Sequence, residues 1–223
     1  SFEEMEPAWE RYWAVFSKYG YKETQLIDTE TGWTTVAGGA AITNQAPILI
    51  KKYAYQLSRG VQGVMLYDLL SDGPDPKEGE HHYGIVSWDR TIKPAYAAYN
   101  FFIHQLGGAK PVAATDLRQP VPLTEFQQGG DRVALVWNQK DAMERPVRLS
   151  GFPGEAQVCD LYGNPLRKIK SGDGFPVTGL PSWIRIPGFN GALKLEGGRL
   201  SAEVVLGAPA GEWAELKPTW SVD

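Results

Sequence analysis

The chain is short of the residues on which many compact catalytic motifs are built. Of its 223 residues only Cys159 is a cysteine, so no intrachain disulfide can form. A lone thiol between strand-like residues reads as a small buried hydrophobe. No paired Cys-x-x-Cys, His-Glu-x-x-His, Gly-x-Ser-x-Gly or glycine-rich phosphate loop occurs. The sequence therefore implies no cofactor and no standard metal loop. No apolar run approaches the roughly twenty residues of a helical membrane span. Charge of one sign is missing too. Residues 1–110 hold ten Lys/Arg against thirteen Asp/Glu, and residues 111–223 hold twelve against thirteen, for a net charge of −4. Neither half has the basic face that nucleic acid requires, and nothing suggests an electrostatic membrane partner.

The opening "SFEEMEPAWERYW" is acidic and amphipathic and resembles no signal peptide. It has no initiator methionine, and it reads as a cut inside a longer chain. Localisation stays open, because sparse cysteine fits bacterial cytoplasm and bacterial secretion alike.

Apolar material is present in quantity. Hydrophobic residues make up 43 %, with eight tryptophans and ten tyrosines, enough for a globular core. Residues 1–110 read as helix, strand, helix, strand, helix. Apolar positions from Glu3 to Tyr19 recur at helical spacing, and Gly20 stops the run. Thr24 to Asp28 is a short strand. A helix capped by Thr43 or Asn44, with Pro47 in its first turn, runs to about Ser58. "GVQGVMLYDLL" gives a near-continuous apolar strand, the kind covered on both faces in a parallel sheet. Pro94 opens a last helix that ends at Gly107-Gly108. This order predicts α/β architecture with crossovers, yet two strands are too few to bury their own faces.

Beyond the Pro-rich "KPVAATDLRQPVPL" come short alternating runs, among them "DRVALVWNQ", "RPVRLSG", "EAQVCDLYGN", "SWIRIPG", "GALKLEGG" and "RLSAEVVLG". Their turn-bounded spacing predicts an antiparallel β-sandwich. Three units follow: residues 1–110, residues 111–190, and residues 191–223 as further strands, with "GEWAELKPTWSVD" at the end.

Carboxylates and aromatics gather where the first strands end. "TQLIDTETGWTT" places Glu30 two residues past an apolar run and Trp33 three further on. In a parallel barrel, catalytic side chains sit at the carboxyl ends of strands. Glu30 is either such a group or a solvated turn residue. Trp33 either stacks on a sugar face or fills the core. Tyr67 and Asp68 end the second strand in the matching position. The loop "SDGPDPKEGEHHYG" brings His81 and His82 near Asp72, Asp75, Glu78 and Glu80. It reads as a solvated loop or a ligand-facing one, and its spacing matches no standard metal loop.

These segments carry a resemblance. "TQLIDTETGWTT" resembles the strand-seven segment of clan A retaining glycoside hydrolases. "QAPILIKKYAYQLSRGVQGVMLYDLLSDG" resembles the next helix and strand eight. "HHYGIVSWDRTIKPAYAAYNFF" resembles the segment that closes such barrels. "AQVCDLYGNPL" with "LPSWIRIPG" resembles the accessory β-sandwich of family 39-like enzymes. The resemblance spans about residues 1–190. It implies the last part of a (β/α)8 barrel, then a β-sandwich, and double-displacement hydrolysis of a glycosidic bond. Glu30 matches the nucleophile and Trp33 the motif tryptophan. Tyr67 stands where many relatives have a tryptophan under the sugar. Asp68, His81 and His82 are further substrate-side candidates.

A retaining enzyme needs a second carboxyl about 5–5.5 Å from the nucleophile. In these families it belongs to an Asn-Glu pair, and no such pair occurs in this sequence. Asp68 and Glu80 are the only local carboxylates to weigh against it. The resemblance thus implies a carbohydrate substrate and a partner, the remaining barrel segment, with this chain inactive alone. A homo-oligomer is the alternative, through exposed apolar faces on strands Thr24–Asp28 and Val61–Leu70. The rival class is a noncatalytic carbohydrate-binding or structural module, with Trp137, Trp183 or Trp213 on a sandwich surface.

Overall fold

The structure is a computed structural model that describes residues 4–21, 24–36, 38, 40–139 and 144–197. The expected strands in "RLSAEVVLG" and "GEWAELKPTWSVD", and Trp213, lie outside the described residues. Among the described residues no helix is long and apolar enough to cross a membrane.

The amino-terminal elements follow the expected order with shifted bounds. Helix α1, Met5–Lys18, ends where Gly20 takes a φ of +81°, a region open to glycine at no steric cost. Strand β1 is Ile27–Thr31, three residues later than its apolar residues suggest. Its bounds are set by pairing and not by hydropathy. It lies parallel to β2, Gly63–Leu66, with Ile27 opposite Gly63 and Thr31 opposite Leu66. Glu30 therefore lies inside the strand. Helix α2, Ala40–Ser58, begins before Thr43, so neither Thr43 nor Asn44 caps it and Pro47 lies beyond the first turn. Helix α3, Pro94–Leu106, starts at the proline as expected.

The two parallel strands are not covered on both faces among the described residues. Ile27 is 55 % exposed and Met65 54 %. The near-continuous apolar run in β2 would suit a strand buried on both sides, yet one side of this pair is open.

From residue 110 the chain is antiparallel. It forms β3 (Lys110–Ala114), β4 (Leu123–Gln128), β5 (Asp131–Val136), β6 (Arg145–Ser150), β7 (Glu155–Cys159), β8 (Pro165–Lys170), β9 (Gly174–Val177), β10 (Ser182–Ile186) and β11 (Lys194–Gly197). One sheet has the order β3-β4-β5-β10-β7-β8, and a second has β11-β6-β9. Four strands, β3, β4, β8 and β9, lie outside the runs that the sequence suggests. The Pro-rich boundary contains β3, an edge strand irregular at Pro111, a position where the missing N–H loses no ladder bond. "PLRKIK" forms β8, the opposite edge, with only Ile169 buried; exposed Arg and Lys suit an unpaired edge.

Period-two alternation explains how one sheet serves two cores. In β5, Val133 and Leu135 join the cluster that holds Leu49, Tyr53, Ala98 and Phe102 of α2 and α3. Their neighbours Ala134 and Val136 join the cluster that holds Val147, Leu149, Phe175 and Val177 of the second sheet. In β10, Trp183 faces the helices, while Ile184 and Ile186 face the second sheet. The helices thus lie on one side of the six-stranded sheet and the three-stranded sheet on the other. The apolar core runs across residue 110, where β3 begins. Trp137 and Trp183 are at most 2 % exposed, which removes both from any surface platform. Trp137 donates its indole N–H to Gln139 Oε1 at 2.8 Å, and Trp183 packs edge-on to Phe101.

Candidate functional site

The carboxyl ends of β1 and β2 meet through their backbones. The Tyr67 N–H donates to the Thr31 carbonyl at 2.9 Å. Gly32 permits this approach: a Cβ there would fall 1.9 Å from the Tyr67 carbonyl oxygen. The glycine of "TETGW" is thus a packing requirement between neighbouring strands. Tyr53, buried on α2, donates its hydroxyl to the same Thr31 carbonyl at 2.7 Å.

Asp28 fastens the strand before the candidate nucleophile. Its Oδ1 accepts the Glu30 N–H at 3.2 Å. Its Oδ2 accepts the Thr31 hydroxyl and the Gln56 side-chain amide. Glu30 itself is exposed. Among the described residues its carboxylate has no hydrogen bond or ion pair. The backbone at Glu30 is held, while the carboxylate is left open for another group.

Tyr67 and Asp68 close β2, joined by a cis peptide. The Tyr67 hydroxyl donates to Glu80 Oε2 at 3.0 Å, and its ring meets Tyr83 at a centroid distance of 5.4 Å. That bond to Glu80 pushes the phenol up to about 12. Burial lifts the Asp68 carboxyl above the usual range, with Asp72 adding to the rise and Lys93 opposing it. Asp68 Oδ1 is buried without a hydrogen-bond partner among the described residues. A buried oxygen without a donor is costly.

Two residues absent from the sequence-based candidates hold the loops together. Gln45, buried on α2, donates to the Trp33 carbonyl at 2.8 Å and the Tyr83 carbonyl at 2.9 Å. Lys93 is 5 % exposed. Its ammonium reaches Thr35 Oγ1 at 2.9 Å, Ser71 Oγ at 3.2 Å and the His82 carbonyl at 3.2 Å. Burial pushes the Lys93 ammonium down, and Asp68 pulls it back up. The signal was present in "KPAY": a lysine just before a helix-opening proline beside an apolar stretch has nowhere to place its charge except the loops above.

Trp33 is 44 % exposed, so it is not a core aromatic. His81 and His82 both serve the loop. The Asp75 N–H donates to His81 Nδ1 at 3.3 Å. His82 Nε2 lies 2.6 Å from the Asp75 carbonyl, so it carries a proton there. Among the described residues no three His, Cys, Asp or Glu side chains gather to hold a metal. The structure therefore brings the Tyr67 side chain together with Glu80 and ties the Trp33 loop to Tyr83. It engages His81 and His82 with Asp75.

No protein-family model matches the sequence, and no curated protein matches it. Among solved structures, the fold is similar to a family 39 glycoside hydrolase from the gut symbiont Bacteroides cellulosilyticus WH2. That likeness has a TM-score of 0.62 and 22 % identity, and covers 72 % of this chain and 33 % of that one. A GH30 endoxylanase from Clostridium papyrosolvens C71 aligns with a TM-score of 0.47 and 9 % identity, over 79 % of this chain and 45 % of that one. The chain thus matches about a third of the family 39 structure and under half of the other. Its fold is similar to part of that family 39 structure.

Proposed function

We propose that this chain is the carboxy-terminal portion of a retaining glycoside hydrolase. Its first 110 residues form the last part of a (β/α)8 barrel, and the two antiparallel sheets form the accessory β-sandwich. One observation carries the reading: Glu30 and the Tyr67–Asp68 pair stand at the carboxyl ends of two adjacent parallel strands, where barrel enzymes place their chemistry. The partial likeness to a family 39 glycoside hydrolase supports it.

In this reading Glu30 attacks the anomeric carbon. The glycosidic C–O bond breaks as a second carboxyl protonates the departing oxygen. Water, deprotonated by that same carboxyl, then displaces Glu30. Glu30 suits the part because its carboxylate is exposed and its backbone is fixed by Asp28. Asp68 and Tyr67 would bind sugar hydroxyls or the pyranose face, with Trp33 at the side. The proton donor and the remaining strands come from a polypeptide segment outside these 223 residues. The chain alone hydrolyses nothing. The open faces at Ile27 and Met65, and a groove of about 370 Å³ between α1, β1 and α2, support a surface that such a segment covers. A homo-oligomer using the same faces is distinguished by the intact mass of the native assembly.

The test is Glu30→Gln in the complete assembly, assayed on a panel of aryl glycosides. Turnover should fall at least about a thousandfold, as for loss of other covalent nucleophiles, with sugar affinity kept. Retention of turnover would overturn the assignment. The second reading, a noncatalytic carbohydrate-binding module, is favoured by the exposure of Trp33 and Trp88. It expects no turnover in the unsubstituted assembly.

A further inference from the structure

A second cleft lies on the loop that follows β2, apart from Glu30. It has a volume of about 230 Å³ and is walled by Ser71, His82, Ser87, Trp88 and Asp89. Trp88 is the unusual member. It sits at the tip of a tight hairpin, 53 % exposed, where neither core packing nor turn formation calls for an indole. The hairpin is well fixed. The Ser87 N–H donates to the Thr91 carbonyl and the Arg90 N–H to the Ser87 carbonyl, both at 2.8 Å. Val86 bridges Leu70 on one side and Ile92 on the other. The ring is therefore presented on a rigid support.

The other walls are mainly acceptors. The Asp89 Oδ1 takes the Thr91 N–H at 2.9 Å, and bonds from Thr91 hold the carboxyl below its usual range. His82 already has its Nε2 engaged with the Asp75 carbonyl at 2.6 Å. Ser71 Oγ already accepts from Lys93, which leaves its proton to give. An apolar face, an ionised carboxylate and hydroxyls together suit a ring with many hydroxyl groups. They do not suit an anion, which Asp89 repels. The volume is below the roughly 300–1,000 Å³ of a drug-sized pocket, enough for one ring and not a chain.

We propose that this cleft is a second carbohydrate subsite, which takes one neutral monosaccharide unit by stacking on Trp88 and bonding to Asp89. This deepens the glycosidase reading and rests on it for the sugar class. The unit held here is a remote one of an oligosaccharide whose reactive unit lies at Tyr67–Asp68. The hydrogen bonds from Thr35 and Lys93 to the His82 carbonyl link the two places through one loop.

The test uses the full 223-residue chain, labelled with nitrogen-15. Trp88→Phe assigns the Trp88 indole signal. Cellobiose, xylobiose and maltose are titrated separately, with choline as a control for a cation held by Trp88 and Asp89. At least one disaccharide should shift the signal saturably. Trp88→Ala should weaken that binding about fivefold to tenfold, on the scale of one aromatic contact. Asp89→Asn should weaken it while the hairpin signals stay in place. A response to choline alone, or to none of the probes, overturns the subsite. The two readings fail separately. Retained turnover in the Glu30→Gln assembly with a disaccharide shift at Trp88 removes the nucleophile and keeps the subsite. Lost turnover with no shift does the reverse.

Discussion

The molecule buries its strands in two different ways on either side of residue 110. In the carboxy-terminal sheet, β5 and β10 have both faces covered, by helices on one side and by the three-stranded sheet on the other. In the amino-terminal pair, β1 and β2 have one covered face, and Ile27 and Met65 point into the open. The first arrangement is a closed core. The second is a platform with a side left for something else. The candidate chemistry lies on the platform, and the closed core holds it in place through α2 and α3. Tyr53 shows the link: its ring packs against Tyr99 and Phe102, while its hydroxyl holds the end of β1.

The sharpest way to break this comparison is to truncate one residue in each region. Trp183→Ala removes a buried indole shared by α3 and the sheet. It should destabilise the chain by about 3–5 kcal/mol in urea unfolding. Ile27→Ala and Met65→Ala should each stay within about 0.5 kcal/mol. Equal losses in both regions would mean that β1 and β2 are as well packed as the sheet.

The same contrast governs how much could be read from the sequence. The strand character of β5 and β10 was legible in their short turn-bounded runs, but the helices that cover one face of them were not. Where pairing decides the bounds, they were not legible either. Strand β1 starts at Ile27 because its parallel register with Gly63 sets the ladder, and no hydropathy pattern marks that residue. Strand β3 lay hidden because edge strands tolerate the proline that elsewhere marks a boundary. The carboxylate and aromatic groups at the strand ends were visible in "TETGW" and "LYDLL". Two of their supports were not, since Gln45 and Lys93 act over separations that no local motif records.

Two smaller substitutions probe the platform from within. Gly32→Ala should cost about 3 kcal/mol, at the upper end for overpacking. Its obstacle is the Tyr67 backbone, which cannot turn aside as a side chain would. Hydrogen exchange at the Tyr67 amide should rise with it, and an unchanged rate would mean that the strands separate freely. Lys93→Met should cost about 2 kcal/mol, because Thr35 and Ser71 lose a buried partner. The loss should appear as faster exchange in residues 71–92 and not in β5. A uniform loss would place Lys93 in the main core instead.

The smallest effect is a dependence on pH, and it has a definite sign. Asp68 is raised first by burial, then by Asp72, so the folded chain holds this proton more firmly than the unfolded chain does. Stability from this group is therefore present below the ordinary carboxylate pKa, about 4. It is lost as pH rises through the raised folded value. Asp68→Asn removes the titration. Unfolding midpoints from pH 3 to pH 7, taken as wild type minus Asp68→Asn, should fall as pH rises. A rising difference would mean that Lys93, the opposing charge, outweighs burial. In the Lys93→Met background the fall should move to higher pH, because the only lowering charge on Asp68 is gone.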